Sequence, residues 1–149
     1  MNPLAELVVE LFRLNGVLLT EGDRLTRDLG LSSARWQVLG ALELAGRPLP
    51  VAQVARNMGL TRQSVQRIAN ELDAAGFLRF AGNPDHRRAK LAAPTKAGHQ
   101  AFVRAMKRQT EWAQRVLSSS GLSQSRVREA KQVLQRLYES LAEMKGVKT

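Results

Sequence analysis

The chain has 149 residues, 44% of them hydrophobic, which is enough for one hydrophobic core and short for two independent domains. Its 23 Lys and Arg residues against 13 Asp and Glu residues give a net charge of +10, which favours polyanionic partners such as nucleic acid or anionic lipid. Because cysteine is absent, disulfides, thiolate zinc sites and cysteine nucleophiles are excluded.

The first predicted element is a long amphipathic helix over residues 4–29. Leucines recur at three- and four-residue intervals, and Pro3 suits a first helical turn. The segment lacks a basic leader and carries Glu6 and Glu10, so we expect neither a signal peptide nor a membrane span, and predict a cytoplasmic protein. Its apolar stripe is wider than one small domain needs to bury, which predicts a subunit interface. The candidate dimerisation residues are Leu4, Leu7 and Leu11.

Two shorter helices are predicted next. The stretch LSSARWQVLGALELAG begins at a cap, Ser32 or Ser33, and ends at Gly46. RPLP then predicts a loop, and VAQVARNM a short helix that stops at Gly59. Because Thr61 caps another helix almost at once, these two helices must cross at a steep angle.

The helix predicted over Thr61–Ala75 has two chemically distinct faces. Its apolar face contains Val65, Ile68, Ala69 and Leu72. The opposite face is polar, while Glu71 and Asp73 lie near the helix end, away from its first turns. Few acids would therefore meet a phosphate on the polar face.

A β-hairpin is predicted after Gly76, with FLRF and KLAAP as its strands. Turn-forming residues and three cations are concentrated between the strands, in NPDHRRAK. Charge that served only solubility would be spread over helix faces, so this hairpin tip is predicted to contact something negative.

Two C-terminal helices complete the predicted order. Thr95 is the expected cap of the first, and either Ser123 or Ser125 caps the second. In the second helix, apolar residues alternate at intervals of three and four without a break, as in a helix packed along another helix. Together with the first helix of the chain, this pattern predicts a symmetric dimer. The candidate dimerisation residues here are Val127, Leu134, Leu137 and Leu141.

This order of elements is that of a winged helix-turn-helix between dimerisation helices, and the chain resembles the MarR (multiple antibiotic resistance regulator) family of bacterial transcription factors across essentially its whole length. Two stretches that carry the resemblance are LSSARWQVLGALELAGRPLPVAQVARNMGL and TRQSVQRIANELDAAGFLRF. The most specific stretch is PDHRRAKLAAPTKAG, in which the family's wing pattern is matched by Asp85, Arg87, Leu91, Thr95 and Gly98. Pro94, where the family commonly has leucine, departs from the pattern.

The resemblance implies one MarR-like domain over residues 1–149, mainly α-helical with a small β-hairpin wing. A winged helix-turn-helix at 32–96 would lie between dimerisation helices at 3–30 and 97–146. It further implies a homodimeric repressor that binds a pseudo-palindromic operator in double-stranded DNA, with the helix from Thr61 in the major groove and Arg87 in the minor groove.

Side-chain chemistry agrees with these implied contacts. Gln and Asn can bind adenine bidentately, Arg can bind guanine, and a guanidinium suits a narrow, negatively polarised minor groove. Arg62 and Ser64 are expected to contact phosphate, and Asp85 to orient Arg87. The predicted DNA-binding residues are Thr61, Arg62, Gln63, Ser64, Gln66, Arg67, Asn70, Asp85, Arg87, Arg88 and Lys90.

The alternative function is a non-catalytic winged-helix module that binds an acidic protein, or an architectural DNA-binding module. Neither an enzyme nor a metal or cofactor site is expected, because His86 and His99 are isolated and no phosphate-binding Gly-rich loop occurs. The family commonly binds small aromatic or phenolic acids between the dimer helices and the reader domain. A similar effector here would face Trp36, otherwise a core residue, and Arg13 would neutralise its carboxylate.

Overall fold

The computed structural model describes residues 2–146, so the ends of the predicted 1–149 domain, residue 1 and residues 147–149, lie outside the described residues. Within residues 2–146 there are six α-helices and three short β-strands. In chain order they are α1 (Pro3–Thr26), α2 (Ser33–Ala45), β1 (Leu49–Pro50), α3 (Val51–Met58), α4 (Arg62–Ala74), β2 (Leu78–Ala81), β3 (Leu91–Pro94), α5 (Lys96–Ser120) and α6 (Gln124–Met144).

The described residues divide into two compact units, 2–108 and 109–146. The first unit contains α1 to α4, the three strands and the first part of α5; the second contains the rest of α5 and α6. None of the described helices combines the length and the apolar character required to cross a membrane.

Helix α1 is shorter than the helix predicted over residues 4–29. It begins with Pro3 in its first turn, after Asn2, whose side-chain oxygen accepts a hydrogen bond from the backbone N–H of Leu4 at 2.8 Å. It ends at Thr26, and a single 3-10 turn over Arg27–Leu29 follows. The chain then changes direction at Gly30, whose φ of 77° is in the left-handed region that favours glycine.

The hydrophobic core of the first unit lies between α2, α3, α4 and the sheet. The apolar face predicted for α4 is confirmed, since all four of its residues are buried. Helix α2 begins after Ser32, one of the two caps predicted for it, and its Leu39 and Leu42 are buried. Trp36 is only partly buried and packs against the edge of this core.

The sheet has three strands, whereas the sequence pattern predicted a two-strand hairpin. Strands β2 and β3 pair antiparallel, with Leu78 opposite Pro94 and Ala81 opposite Leu91, as the hairpin prediction requires. The prediction of a loop at RPLP was wrong for its last two residues, because Leu49 pairs with Ala92 and Pro50 with Leu91. Two residues are too few to show alternation, and their pairing partner lies much later in the chain.

Helices α3 and α4 form the predicted helix-turn-helix. Gly59, with a φ of 66°, ends α3 in the left-handed conformation, and its N–H donates to the carbonyl oxygens of Ala55 and Arg56. Thr61 then caps α4 because its hydroxyl oxygen accepts from the backbone N–H of Ser64 at 3.2 Å. Local hydrogen bonds to backbone groups therefore fix both ends of the turn, the end of α3 and the start of α4.

The start of α5 is tied to the base of the hairpin by Thr95. Its hydroxyl donates to the carbonyl oxygen of Gly76 at 2.6 Å and accepts from the N–H of Gly98 at 3.1 Å. The N–H of Thr95 donates to the carbonyl oxygen of Phe77 at 3.1 Å. A Cβ atom on Gly98 would clash with that same carbonyl oxygen, so glycine is required at this position.

The second unit contains α6, which begins after Ser123. Of the two serines that could cap this helix, Ser123 does so, accepting from the backbone N–H of Arg126 at 3.3 Å. Ser125 lies inside the helix and donates to Glu129 one turn later. The apolar residues that alternate along α6 are mostly exposed in the single chain.

Candidate nucleic-acid interface

The outer face of α4 presents the polar residues that the sequence analysis singled out. Burial of the opposite, apolar face fixes the rotation of the helix, so this polar face points to solvent. Its exposed members are Thr61, Arg62, Gln63, Arg67 and Asn70, and its half-buried members are Ser64 and Gln66. The face is therefore accessible to a macromolecular ligand.

Several of these side chains are held in place by partners one turn away. The Gln66 Nε2 donates to Asn70 Oδ1 at 2.9 Å, and the Arg67 Nη1 lies 2.7 Å from Glu71 Oε1. The sequence analysis named the polar residues but missed these pairs. Their i,i+4 spacing is the signal that could have found them. The result is a face whose amide and guanidinium groups are positioned before any ligand binds.

Glu71 has a second cationic partner that no local pattern indicates. Its Oε2 lies 3.1 Å from the Nε of Arg35, which belongs to α2. The hydrogen bond from Arg35, with a smaller contribution from Arg67, holds the pKa of the Glu71 carboxyl below its usual value, against the opposing effect of desolvation. Glu71 is therefore ionised and bound on both oxygens.

The tip of the hairpin carries the predicted cations in exposed positions. Asp85, Arg87, Arg88 and Lys90 are all solvent-accessible. The turn is built by Asn83, whose side-chain oxygen accepts from the N–H of Asp85 at 3.0 Å and whose carbonyl oxygen accepts from the N–H of His86 at 3.3 Å. No ion pair joins Asp85 to Arg87 among residues 2–146, so the expected orienting contact is not formed in the free chain.

A groove of 690 Å³ lies between α3, α4 and the hairpin. Among the described residues that line it there is no carboxylate, and its basic side chains come from all three elements: Arg56, Arg62, Arg88 and Lys90. Its amide side chains are Gln66, Asn70 and Asn83. A concave, cationic, amide-containing surface is suited to the sugar-phosphate backbone of a nucleic acid.

The groove brings together some of the predicted DNA-binding residues and leaves others outside it. Helix α4 and the hairpin each contribute to one continuous surface, whereas Gln63, Arg67 and Arg87 are exposed beside the groove rather than lining it. Sequence analysis missed Arg56, an exposed cation on α3. Its position on the polar side of an amphipathic helix was the available signal.

The two residues proposed for an effector make separate contacts. Arg13 is exposed and lies 2.8 Å from Glu10 on its own helix, and within the described chain this ion pair is its one polar side-chain contact. Trp36 packs at the edge of the core. Their positions neither join them into one site nor assign a ligand to them.

The residues predicted for dimerisation lie on two helices, each with an exposed apolar surface. On α1, Leu4 is exposed, and Leu7 and Leu11 are half-buried. On α6, three of the four predicted residues, Val127, Leu134 and Leu141, are exposed, and Leu137 is half-buried. Both helices therefore leave large apolar side chains in water.

The two histidines lie in different environments. His86 lines the cationic groove, whereas the Nδ1 of His99 lies 2.9 Å from Glu43 Oε2, joining α5 to α2. The sequence analysis described His99 as isolated and did not predict this contact. Residues 2–146 contain no cluster of three or more His, Asp or Glu side chains that could hold a metal ion.

Comparison with known proteins relates the chain to transcription regulators. A family model described as the MarR family matches residues 29–89, which include α2, α3, α4 and most of the hairpin tip. An uncharacterized protein of Mycobacterium tuberculosis is 39% identical over 99 residues, which are 66% of this chain and 68% of the relative. A protein of Mycobacterium bovis matches to the same extent.

Solved structures share the fold over nearly the whole chain. A MarR-family transcriptional regulator from Rhodococcus sp. RHA1 is 23% identical, with a TM-score of 0.80 over 92% of this chain and 95% of that chain. CouR from Rhodococcus jostii RHA1, bound to p-coumaroyl-CoA, is 24% identical, with a TM-score of 0.75 over 91% and 92%. Staphylococcus aureus MarR in complex with salicylate and kanamycin is 14% identical, with a TM-score of 0.78 over 93% and 92%. These identities relate the chains by fold.

Proposed function

Because the chain belongs to the MarR family of transcription regulators, we propose that it is a cytoplasmic, non-enzymatic repressor that binds a pseudo-palindromic operator as a homodimer. The observation that carries this proposal is the groove between α3, α4 and the hairpin, lined by four cations and no described carboxylate. Phosphate contacts supply most of the affinity of a protein for DNA, and such a groove is built to make them.

The proposed contacts divide between the two DNA grooves. Helix α4 enters the major groove, where Gln63, Gln66, Arg67 and Asn70 read base edges through bidentate hydrogen bonds. The hairpin lies over the minor groove with Arg87 inserted, and Asp85 orients that arginine once DNA is bound. Residues beside these contact the sugar-phosphate backbone: Thr61, Arg62, Ser64, Arg88 and Lys90, together with Arg56.

Dimerisation is supported by the apolar residues that α1 and α6 leave exposed in the single chain. A stable monomer usually covers large apolar side chains of this kind, and a two-fold axis would place those of each helix against an identical subunit. Two α4 helices related by that axis would address half-sites about one helical turn of DNA apart, roughly 34 to 36 Å.

Binding of a small aromatic or phenolic effector is supported by two proteins of the same fold, each solved with a ligand that contains a phenol ring. CouR was solved with p-coumaroyl-CoA, and Staphylococcus aureus MarR with salicylate. We propose an effector of this class here, with Trp36 against its ring and Arg13, freed from Glu10, at its carboxylate. It would act by favouring the state in which the two hairpins no longer match the operator spacing.

The test is selection of bound duplexes from a random library, followed by titration of the selected duplex at several salt concentrations. We expect one palindromic sequence to be enriched. Arg87→Ala should weaken binding to selected and random duplexes alike, and lower the salt slope by about one unit. Arg126→Ala, which removes the same charge from α6, is the matched control and should change the slope less.

Two outcomes would contradict the proposal. Binding without preference over random duplex would indicate an architectural role, and no binding even in dilute buffer would favour a module that recognises an acidic protein. Repeating the selection with salicylate present tests the effector separately, because loss of DNA binding should then depend on Trp36 and Arg13.

A further inference from the structure

We infer that Glu71, anchored by Arg35, is a positioning residue that sets the base preference of Arg67; this inference rests on the proposed DNA-binding function. The three residues form one ion-paired cluster. Arg67 and Glu71 lie on α4, and Arg35 lies on α2.

The geometry gives Glu71 a fixed orientation. One carboxylate oxygen lies 3.1 Å from the Nε of Arg35 and the other lies 2.7 Å from the Nη1 of Arg67. Arg35 also donates to the backbone carbonyl oxygen of Gly30 at 3.4 Å. Both Arg35 and Glu71 are about one-third exposed, so they are held between α2 and α4 rather than moving freely in solvent.

Arg67 remains accessible although it is paired. Its side chain is 67% exposed, and the ion pair engages the Nη1 nitrogen. A guanidinium has five N–H donors in a rigid plane, so fixing one edge defines the direction of the others. A free arginine on this face would reach any nearby phosphate, whereas one held by Glu71 presents a defined edge to a base pair.

Arg35 keeps the carboxylate of Glu71 from opposing DNA binding. A carboxylate on the reading face would repel phosphates unless its charge were compensated, and Arg35 compensates it from the protein side. The two guanidinium groups and the one carboxylate leave the cluster with a net positive charge, so Glu71 can orient Arg67 for guanine recognition without weakening the attraction to phosphates. The effect of Glu71 therefore falls on discrimination between base pairs rather than on affinity.

The experiment compares the wild-type protein and variants on a panel of single base-pair substitutions in the selected duplex. Arg67→Ala first identifies the base pair that Arg67 reads. At that base pair, Glu71→Gln should lower discrimination by about fivefold or more, the lower end of what a bidentate arginine contributes. Asp73→Asn is the matched control because it removes the same charge from the same helix, and it should leave the preference unchanged.

A double variant separates positioning from a structural role. If Glu71 acts through Arg67, Arg67→Ala combined with Glu71→Gln should match Arg67→Ala alone in its base preferences. Arg35→Ala should lower discrimination at the same base pair by a smaller factor, and Arg35→Lys should partly restore it. A merely structural link between α2 and α4 would change thermal stability but not the preference at one base pair.

The outcomes distinguish this inference from the proposed function. If the wild-type protein prefers no sequence, the proposed function fails and this inference fails with it. If the wild-type protein discriminates but Glu71→Gln and Arg35→Ala retain its full base profile, only the inference is overturned. Should Glu71→Gln not fold, Arg35→Ala carries the same comparison, and loss of discrimination confined to the base pair read by Arg67 supports the inference.

Discussion

Helices α4 and α6 have similarly amphipathic sequences, yet the apolar face of α4 is buried and that of α6 is exposed. In α4 the apolar face is covered by the core of the first unit, and Leu72 is completely buried. In α6 the corresponding stripe stays in water, with Leu134 40% exposed and Leu141 57% exposed. An apolar stripe therefore identifies a face to be covered, but not whether the same chain covers it.

The largest effect that tests this comparison is expected at the covered face. Leu72→Ala should lower the free energy of unfolding by about 2–5 kcal/mol, because it removes a fully buried side chain and leaves a cavity. Urea denaturation measures the change. Leu44→Ala is the control, since Leu44 is 87% exposed on α2, and it should change stability by less than about 0.5 kcal/mol. Equal losses of stability in the two variants would contradict the assignment of Leu72 to the covered face.

The uncovered face is tested by placing a charge on it. Leu134→Asp should weaken subunit association by at least about 3 kcal/mol, because a two-fold axis repeats the loss of one buried leucine in each subunit. Sedimentation analysis over a range of concentrations measures the dissociation constant. Gln132→Asp adds the same charge to another side of α6 and should leave association nearly unchanged. A wild-type protein that is monomeric throughout would contradict the proposed dimer.

A smaller effect concerns the caps with which both helices begin. Thr61 and Ser123 accept backbone N–H groups in the first turn of α4 and α6, so Thr61→Ala and Ser123→Ala should each cost about 1 kcal/mol. Amide hydrogen exchange should show lost protection at Ser64 in the first variant and at Arg126 in the second. Thr61→Ser and Ser123→Thr keep the hydroxyl and should retain protection. Undiminished protection in the alanine variants would show that the caps are dispensable.

The smallest effect concerns how the stability of the protein depends on pH through Glu71, on α4. The folded-state pKa of Glu71 is depressed chiefly by Arg35, so its contribution to stability is present above the unfolded pKa of about 4.3 and is lost as pH falls through the folded value. Glu71→Gln should therefore be less stable than wild type at pH 7, and the difference should shrink below about pH 4. Denaturation at a series of pH values measures it. A pH-independent difference would contradict the ion-pair explanation, and Arg35→Ala should reduce the pH dependence.

Elements governed by local chemistry were predictable from the sequence. The short helix α3, the stop at Gly59, the cap at Thr61 and the buried face of α4 follow from capping preferences and a period of 3.6 residues, and the structure confirms them. The hairpin was also predicted, because alternating residues flank a turn-rich tip. In each case the signal lies within about a dozen residues.

Features that join distant parts of the chain were not predictable in the same way. Strand β1 is defined by pairing with β3, and two residues carry no periodicity of their own. Glu71 looked like an acid placed away from the reading surface until α2 brought Arg35 beside it. His99 and Glu43 meet for the same reason, through packing of α5 on α2. A single sequence does not show which side chains, far apart along the chain, become neighbours in the fold.

The tight junction at Thr95 and Gly98 has a mechanical consequence. Hydrogen bonds join Thr95 to Gly76 and Phe77, and Gly98 has no side chain to separate the two segments. The first turn of α5 is therefore held directly against the base of the hairpin. We therefore expect the hairpin to move with that turn if the turn rotates. Because the tip lies at the far end of the hairpin, the displacement should be larger at Arg87 than at the junction.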